Sequence, residues 1–192
     1  MIVAATFYAG KIRDAIRAAK FEGNPADIEV IAQAMYPCLK KLHKTFAAYI
    51  PIPTTKERQI SRGYNLPTRL CEFLATQYRA PIMTLALTRN DTPTQYGLSE
   101  DDRRENTNLF SPGPEISVIL GTDPPITTPP VLIVDDVIAT GTTFSQAMKI
   151  MADHKIPCTC LAAAMSPRAA HNFDEELNAV KLPNPSKKLA AK

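Results

Sequence analysis

The sequence lacks any hydrophobic run near the length of about 20 residues that a membrane-spanning helix needs. Its first residues also lack the apolar core of a secretory signal peptide. These two absences argue against an integral membrane protein and against a secreted one. We therefore expect a soluble, cytoplasmic protein.

Strong charge and paired cysteines are missing as well. The formal net charge is only +3, a mild excess that favours polyphosphate ligands and does not by itself indicate nucleic-acid binding. The four cysteines include no Cys-x-x-Cys pair, so we expect them to be reduced and structural. Zinc binding is not expected.

The chain length limits the architecture. A chain of 192 residues is long enough for one sizeable core and too short for two ordinary domains. We expect a single domain over residues 1–180, followed by a basic, disordered tail over residues 181–192. No segment remains for a helix-turn-helix, which disfavours a DNA-binding repressor on this fold.

The most informative stretch covers residues 131–143 and reads VLIVDDVIATGTT. Its four opening aliphatic residues suit a strand that is buried on both faces. Asp135 and Asp136 follow at the carboxyl end of that strand, where open α/β sheets bind their ligands. Beyond the loop, apolar residues spaced at i, i+3, i+4 and i+7 predict an amphipathic helix. The stretch therefore predicts a strand, a loop and a helix.

The predicted loop suits a phosphate monoester, because a helix N-terminus offers free N–H groups and a positive dipole end. A glycine there lets the backbone approach the oxyanion without a Cβ in the way. The residues expected to hold the phosphate are Ala139, Thr140, Gly141, Thr142 and Thr143.

The two carboxylates cannot face that phosphate, so they must face another part of the same ligand. A vicinal diol fits, because ionised carboxylates accept hydrogen bonds from hydroxyls. A phosphate with a diol nearby describes a ribose 5-phosphate. The alternatives are a solvated acidic turn, or an aspartate pair that binds metal or accepts phosphate.

Residues 134–143 resemble the signature of the type I phosphoribosyltransferases, which bind phosphoribosyl pyrophosphate (PRPP). The resemblance implies an α/β fold with a mostly parallel central sheet, helices on both faces and a flexible lid loop. It also implies that Asp135 and Asp136 hold the ribose hydroxyls as the catalytic pair. Mg²⁺ is expected as cofactor, held mainly through PRPP and not directly by protein ligands.

A second group of candidates follows the short, proline-broken strand predicted at residues 49–53. Arginine forks match phosphate oxygens, so the loop beyond this strand suits a pyrophosphate. The charge of this loop alone is explained equally well by an ordinary solvated surface loop. The candidates are Thr54, Thr55, Lys56, Arg58 and Arg62.

The same region resembles the ComF family, a branch of the type I phosphoribosyltransferase-like proteins named for competence and DNA uptake in bacteria. The matching pieces are Pro51-x-Pro53, Arg58, Arg62-Gly63-Tyr64-Asn65, Lys20-Phe21-x-Gly23 and Gln95-x-x-Leu98-Ser99. In that family the first of these regions lies where related enzymes place their pyrophosphate loop. Three departures are the missing cysteine-rich segment, Leu66 in place of a common Gln, and Ala139 in place of a frequent Thr.

A long polar connection at residues 89–105 is the expected lid, because connections of this length are usually functional or disordered. In type I enzymes such a loop closes over PRPP. The residues expected to reach the ligand are Arg89, Gln95, Arg103 and Arg104. The alternative is mobile surface without a ligand role.

The remaining pattern predicts further elements. Helices are expected at residues 10–21, after Gly23-Asn24-Pro25, after Asn65 as N-cap, and at 174–180; strands are expected at 83–87 and 157–165. The proline-rich residues 111–130 are expected to form no regular element.

Two functional hypotheses follow. The first is an enzyme that transfers phosphoribosyl from Mg-PRPP to an unidentified acceptor, expected to be a nucleobase. The second is a protein without turnover that binds PRPP, a nucleotide or single-stranded DNA during uptake, supported by the basic cluster at residues 40–44. For the oligomeric state, a homodimer is an open alternative to a monomer.

Overall fold

The computed structural model describes residues 1–42, 45–90, 108–121 and 129–170. Most of the expected lid, the helix expected at 174–180 and the basic tail lie outside these residues. Among the described residues, no helix is both long and apolar enough to cross a membrane.

The described part of the chain contains six strands and six helices with defined bounds, and residues 167–170 are helical as well. The strands are β1 (Ile2–Phe7), β2 (Tyr49–Pro51), β3 (Leu87–Arg89), β4 (Phe110–Pro112), β5 (Val131–Ile138) and β6 (Cys158–Met165). The helices are α1 (Gly10–Phe21), α2 (Pro25–Lys41), α3 (Lys56–Arg62), α4 (Leu66–Gln77), α5 (Glu115–Leu120) and α6 (Thr142–Asp153).

Four of the strands form a parallel sheet in the order β1-β6-β5-β2. Side chains alternate across a strand, so β5 contributes to two cores. Val131 and Ile133 pack with α5, α6 and the β3–β4 pair, whereas Leu132 and Val134 pack with α1, α2 and α4. The expected parallel sheet with helices on both faces is confirmed.

Helices α2 and α6 follow the signals in their sequences. Asn24 caps α2 by accepting a hydrogen bond from the Ala26 N–H at 3.0 Å, and Pro25 occupies the first helical position, which suits its missing N–H. Helix α6 buries Phe144, Ala147 and Met151 on its inner face, as the apolar spacing predicts.

The site arises where β2 stops pairing with β5. The β2–β5 register ends at Pro51 and Val134, and the Ile52 N–H donates to the Val134 carbonyl at 2.9 Å. Strand β5 continues to Ile138 and stays paired with β6 as far as Met165. One side of β5 is therefore open from Asp135 onward, which creates a crevice at the carboxyl end of the sheet.

Several sequence-based predictions of elements were wrong. The first residues form β1, for which no element was predicted, although Ile2 and Val3 are buried in the sheet. The loop expected after β2 contains helix α3, which begins after Thr55 because that side chain accepts the Arg58 N–H at 3.4 Å.

The proline-rich residues 111–130 were also predicted wrongly, because they contain the end of β4 and all of α5. The strand expected at 83–87 lies instead at Leu87–Arg89, antiparallel to β4. Gly113 permits this close approach, since a Cβ there would lie 1.9 Å from the Leu85 carbonyl oxygen.

Candidate functional site

A polar cavity of about 190 Å³ lies at the crevice beside β5. It brings together residues that are distant in sequence and that were predicted to act on one ligand. The predicted residues that line it are Thr54, Thr55, Arg58, Arg62, Arg89, Asp135, Asp136 and Thr143. Lys20 and Asn65, for which no ligand role was predicted, line it as well.

The acidic pair of this cavity combines a half-buried carboxylate, that of Asp135, with a buried one, that of Asp136. Asp136 is 8% exposed, and its backbone N–H donates to the Asp135 carboxylate at 2.8 Å. Burial, and then the adjacent Asp136 carboxylate, raise the pKa of Asp135 well above its ordinary value. Hydrogen bonding to the Asp136 N–H and the charges of Lys20 and Arg89 oppose that rise. The Asp135 carboxylate therefore depends on neighbouring donors and cations to become ionised.

Replacing Asp135 by asparagine is expected to stabilise the ligand-free protein at pH 7. An unfolded aspartate has a pKa of about 3.9, and the pKa of Asp135 is higher in the folded state. Its ionisation therefore lowers the stability of the wild type as pH rises from about 4 through the folded-state pKa. The asparagine side chain removes this loss, while its amide oxygen can still accept the Asp136 N–H.

Thermal melts between pH 4 and 8 test this expectation. The Asp135→Asn variant should melt a few degrees higher at pH 7, at about 2–4 °C for each 1 kcal/mol in a chain of this size. The difference should shrink toward pH 4. Asp14→Asn, at an exposed acid on α1, serves as control. A variant that is less stable by the same amount at every pH would contradict the cause given for the shifted pKa.

The phosphate-binding candidates lie at the start of α6. Gly141 precedes the helix with φ of 89°, a left-handed conformation that favours glycine. The Ser166 hydroxyl donates to the Ala139 carbonyl at 2.9 Å and fixes the loop against the end of β6. Thr140 and Thr142 are exposed, with hydroxyl oxygens 3.1 Å apart. Free N–H groups in the first turn of α6 make this loop suitable for an anion.

Only Thr143 of this loop lines the cavity. The loop therefore lies at the rim of the cavity. A ligand that contacts both the loop and the acidic pair must have two polar ends, which is the arrangement expected for a ribose phosphate.

The pyrophosphate candidates are on and before α3. Arg58 and Arg62 are one helical turn apart, so their side chains lie on one face, and both line the cavity together with Thr54 and Thr55. Lys56 is not among the lining residues. Asn65 donates to the Ile52 carbonyl at 2.9 Å and to the Thr68 hydroxyl at 3.2 Å, so it ties the segment after β2 to α4.

Arg89 lies in a different place from the one predicted. It is the last residue of β3 and not part of a loop, and its guanidinium carbon lies 5.1 Å from the centre of the Phe110 ring. Burial, and then the charge of Arg58, lower the pKa of Arg89, while Asp135 opposes this change. Gln95, Arg103 and Arg104, the other lid candidates, lie outside the described residues.

Two buried side-chain atoms in the described part of the chain have no hydrogen-bond partner, namely Asn65 Oδ1 and Arg89 Nε. Both residues line the cavity. Because buried polar atoms are nearly always paired in folded proteins, their concentration here favours a site for a polar ligand.

Lys20 is the main residue that the sequence did not identify. Its ammonium lies 2.9 Å from Asp136 Oδ2, although the two residues are far apart in sequence. The only available signal was its place in the Lys20-Phe21-x-Gly23 segment.

The described residues contain no group of three or more His, Cys, Asp or Glu side chains that could hold a metal ion. The acidic side chains of the cavity are Asp135 and Asp136. Mg²⁺ is commonly bound through one or two carboxylates together with phosphate oxygens of the substrate. The donor set therefore fits a Mg²⁺ ion that is carried mainly by a phosphorylated ligand.

No protein-family model matches the sequence, and no curated protein matches it. Solved structures do match, among them the adenine phosphoribosyltransferase of Saccharomyces cerevisiae in complex with D-2,5-dideoxy-2,5-imino-altritol 1,6-bisphosphate and adenine. That match has a TM-score of 0.50 and 14% identity and covers 84% of this chain and 81% of the yeast chain.

Two other matches are adenine phosphoribosyltransferases from Leishmania. The L. donovani structure has a TM-score of 0.49 and 12% identity, covering 84% of this chain and 63% of its own length. The L. tarentolae structure has a TM-score of 0.45 and 11% identity, covering 86% and 74%. With the yeast structure matched at a TM-score of 0.50, the chain has the α/β fold of the type I phosphoribosyltransferases. At these identities the similarity concerns the fold and not the substrate.

Proposed function

We propose that the protein binds Mg-PRPP and transfers its phosphoribosyl group to an acceptor, which we expect to be a nucleobase. The observation that carries this proposal is the cavity of about 190 Å³ lined by Asp135, Asp136, Arg58 and Arg62. It combines acceptors for a diol with cations for a pyrophosphate, and the loop 139–143 at its rim offers donors for a phosphate monoester.

Each group has a separate task in the proposed reaction. Asp135 and Asp136 accept hydrogen bonds from the ribose hydroxyls, while the loop 139–143 holds the 5-phosphate. Arg58 and Arg62, with Thr54, Thr55 and Lys56, are proposed to bind the pyrophosphate. Fixing both ends of PRPP orients its C1 carbon toward the acceptor and supplies much of the entropic part of catalysis.

The proposed step breaks the bond between C1 and the pyrophosphate oxygen and forms a bond between C1 and an acceptor nitrogen. The electron pair leaves on pyrophosphate, which can take up the proton that the acceptor nitrogen loses, while positive charge develops on the ribose in the transition state. Arginine side chains stabilise the leaving oxygens, and Asp135 and Asp136 lie near the developing positive charge. Mg²⁺, when bound with PRPP, would neutralise part of the pyrophosphate charge.

The alternative is a protein that binds PRPP, a nucleotide or single-stranded DNA without turnover, in keeping with the ComF resemblance. A second cavity, of about 480 Å³, favours it because cations and an exposed aromatic ring occur there together. Lys40, Arg79 and the exposed Tyr78 are among its lining residues. Cationic grooves with aromatic rings suit unpaired nucleic acid.

Pyrophosphate release from Mg-PRPP across a panel of purine and pyrimidine bases tests the proposal. At least one base should stimulate release above the rate with PRPP alone, and the product should be the corresponding nucleoside monophosphate. The Asp135→Asn/Asp136→Asn variant controls for contaminating enzyme. Tight PRPP binding without stimulation by any base would favour the alternative.

A further inference from the structure

The ion pair between Lys20 and Asp136 joins two distant elements at the cavity. Lys20 lies in the last turn of α1, and its side chain and that of Asp136 are 25% and 12% exposed. Two other ion pairs among the described residues, Arg13–Asp14 and Arg69–Glu72, join residues one and three positions apart and are about half exposed. The Lys20 pair is therefore a feature of the site and not of the surface.

Within the cavity, Lys20 is the counter-ion of the acidic pair. Asp135 and Asp136 are adjacent and largely buried, and two ionised carboxylates this close repel each other. The charge of Lys20 opposes the rise in the pKa of Asp135, and its ammonium contacts Asp136 directly. The ammonium contacts one oxygen of Asp136 at the cavity that the ribose is proposed to enter.

A phosphorylated ribose would change the partners available to Lys20. A hydroxyl that donates to Asp136 competes with the ammonium, while the pyrophosphate brings anionic oxygens toward Arg58 and Arg62. Lysine has a flexible stem and a compact ammonium with three donors, so it can change partners. Arg89, by contrast, packs against the Phe110 ring.

We infer that Lys20 exchanges partners when PRPP binds. It leaves Asp136 to the ribose hydroxyls and contacts the pyrophosphate, whose proposed ligands Arg58 and Arg62 line the same cavity. This inference rests on the proposed function and adds a specificity role, because Lys20 then favours PRPP over ribose 5-phosphate, which has no pyrophosphate.

The test compares calorimetric affinities for PRPP and ribose 5-phosphate, each with Mg²⁺, in the full chain. Lys20→Met should weaken PRPP binding by about tenfold, the effect of one lost charge-assisted hydrogen bond. It should weaken ribose 5-phosphate binding less, because that ligand has no pyrophosphate for the ammonium to contact. Lys20→Arg should restore part of the PRPP affinity, and Lys11→Met, at an exposed lysine on α1, should change neither.

If Lys20 served only the fold, Lys20→Met would weaken the binding of both ligands by the same factor. That result would overturn the inference while leaving the proposed function intact. Failure of the wild type to bind either ligand would overturn both. If Lys20→Met lowers the melting temperature, Lys20→Gln replaces it in the test, because glutamine keeps a hydrogen-bond donor to Asp136 without the charge. It should still lower the preference for PRPP; an unchanged preference would again overturn the inference.

Discussion

Replacing Asp135 and Asp136 together by asparagine is expected to weaken the binding of Mg-PRPP by about a hundredfold or more, since hydrogen bonds to charged groups contribute roughly 1.5–3 kcal/mol each. The two carboxylates lie on the open side of β5, and both line the cavity. Asparagine preserves the shape of both side chains but removes their charge. Isothermal titration calorimetry of the wild type and the double variant measures the effect.

The control is Asp14→Asn/Asp153→Asn, which removes two acids that lie outside the lining of the cavity. Circular dichroism should show that all variants are folded. Equal affinity of a folded Asp135→Asn/Asp136→Asn variant and the wild type would refute the assignment of the ribose site.

Removing the guanidinium groups of Arg58 and Arg62 is expected to weaken the binding of Mg-pyrophosphate by about a hundredfold or more, because two charge-assisted hydrogen bonds are lost. Both arginines lie one helical turn apart on α3 and line the cavity. Pyrophosphate alone is used as the ligand, because its affinity measures this subsite without a contribution from the ribose. Calorimetry of Arg58→Ala/Arg62→Ala against the wild type measures the loss.

Two comparisons sharpen this prediction. Arg13→Ala/Arg17→Ala removes the same charge from the exposed residues of α1 and should leave the affinity for pyrophosphate unchanged. The Asp135→Asn/Asp136→Asn variant should keep most of its affinity for pyrophosphate while losing its affinity for PRPP. If the arginine variant binds pyrophosphate as the wild type does, the pyrophosphate site lies elsewhere.

The centre of the fold was predictable because its pattern is local. Four aliphatic residues before Asp135, a glycine-containing loop and the apolar spacing of Phe144, Ala147 and Met151 specify β5, the loop and α6 within a few turns of chain. The same reasoning located α1 and α2, since Asn24 and Pro25 mark their boundary.

The elements that were missed depend on tertiary context. Helix α3 has seven residues and no buried side chain, so it offers no apolar periodicity. Helix α5 is short and preceded by prolines, but Ile116 and Ile119 are buried in the core beside the sheet. Strand β1 is stabilised by its pairing with β6, which lies near the other end of the described chain.

The placement of the candidate residues divides in the same way between local pattern and long-range packing. Residues on β5 and at the start of α6 share one motif, whereas the contact of Lys20 with Asp136 arises only when α1 packs beside β5. Arg89 was expected in a loop, because a three-residue strand next to a long polar segment has almost no periodic signal. Long-range contacts of this kind are set by packing and not by spacing in the sequence.

The most direct test of the account is a crystal structure of the protein soaked with PRPP and Mg²⁺. We predict density for the ribose hydroxyls against Asp135 and Asp136, for the 5-phosphate on the loop 139–143, and for the pyrophosphate beside Arg58 and Arg62. PRPP bound elsewhere, or bound in this cavity with its ribose turned away from both aspartates, would contradict it.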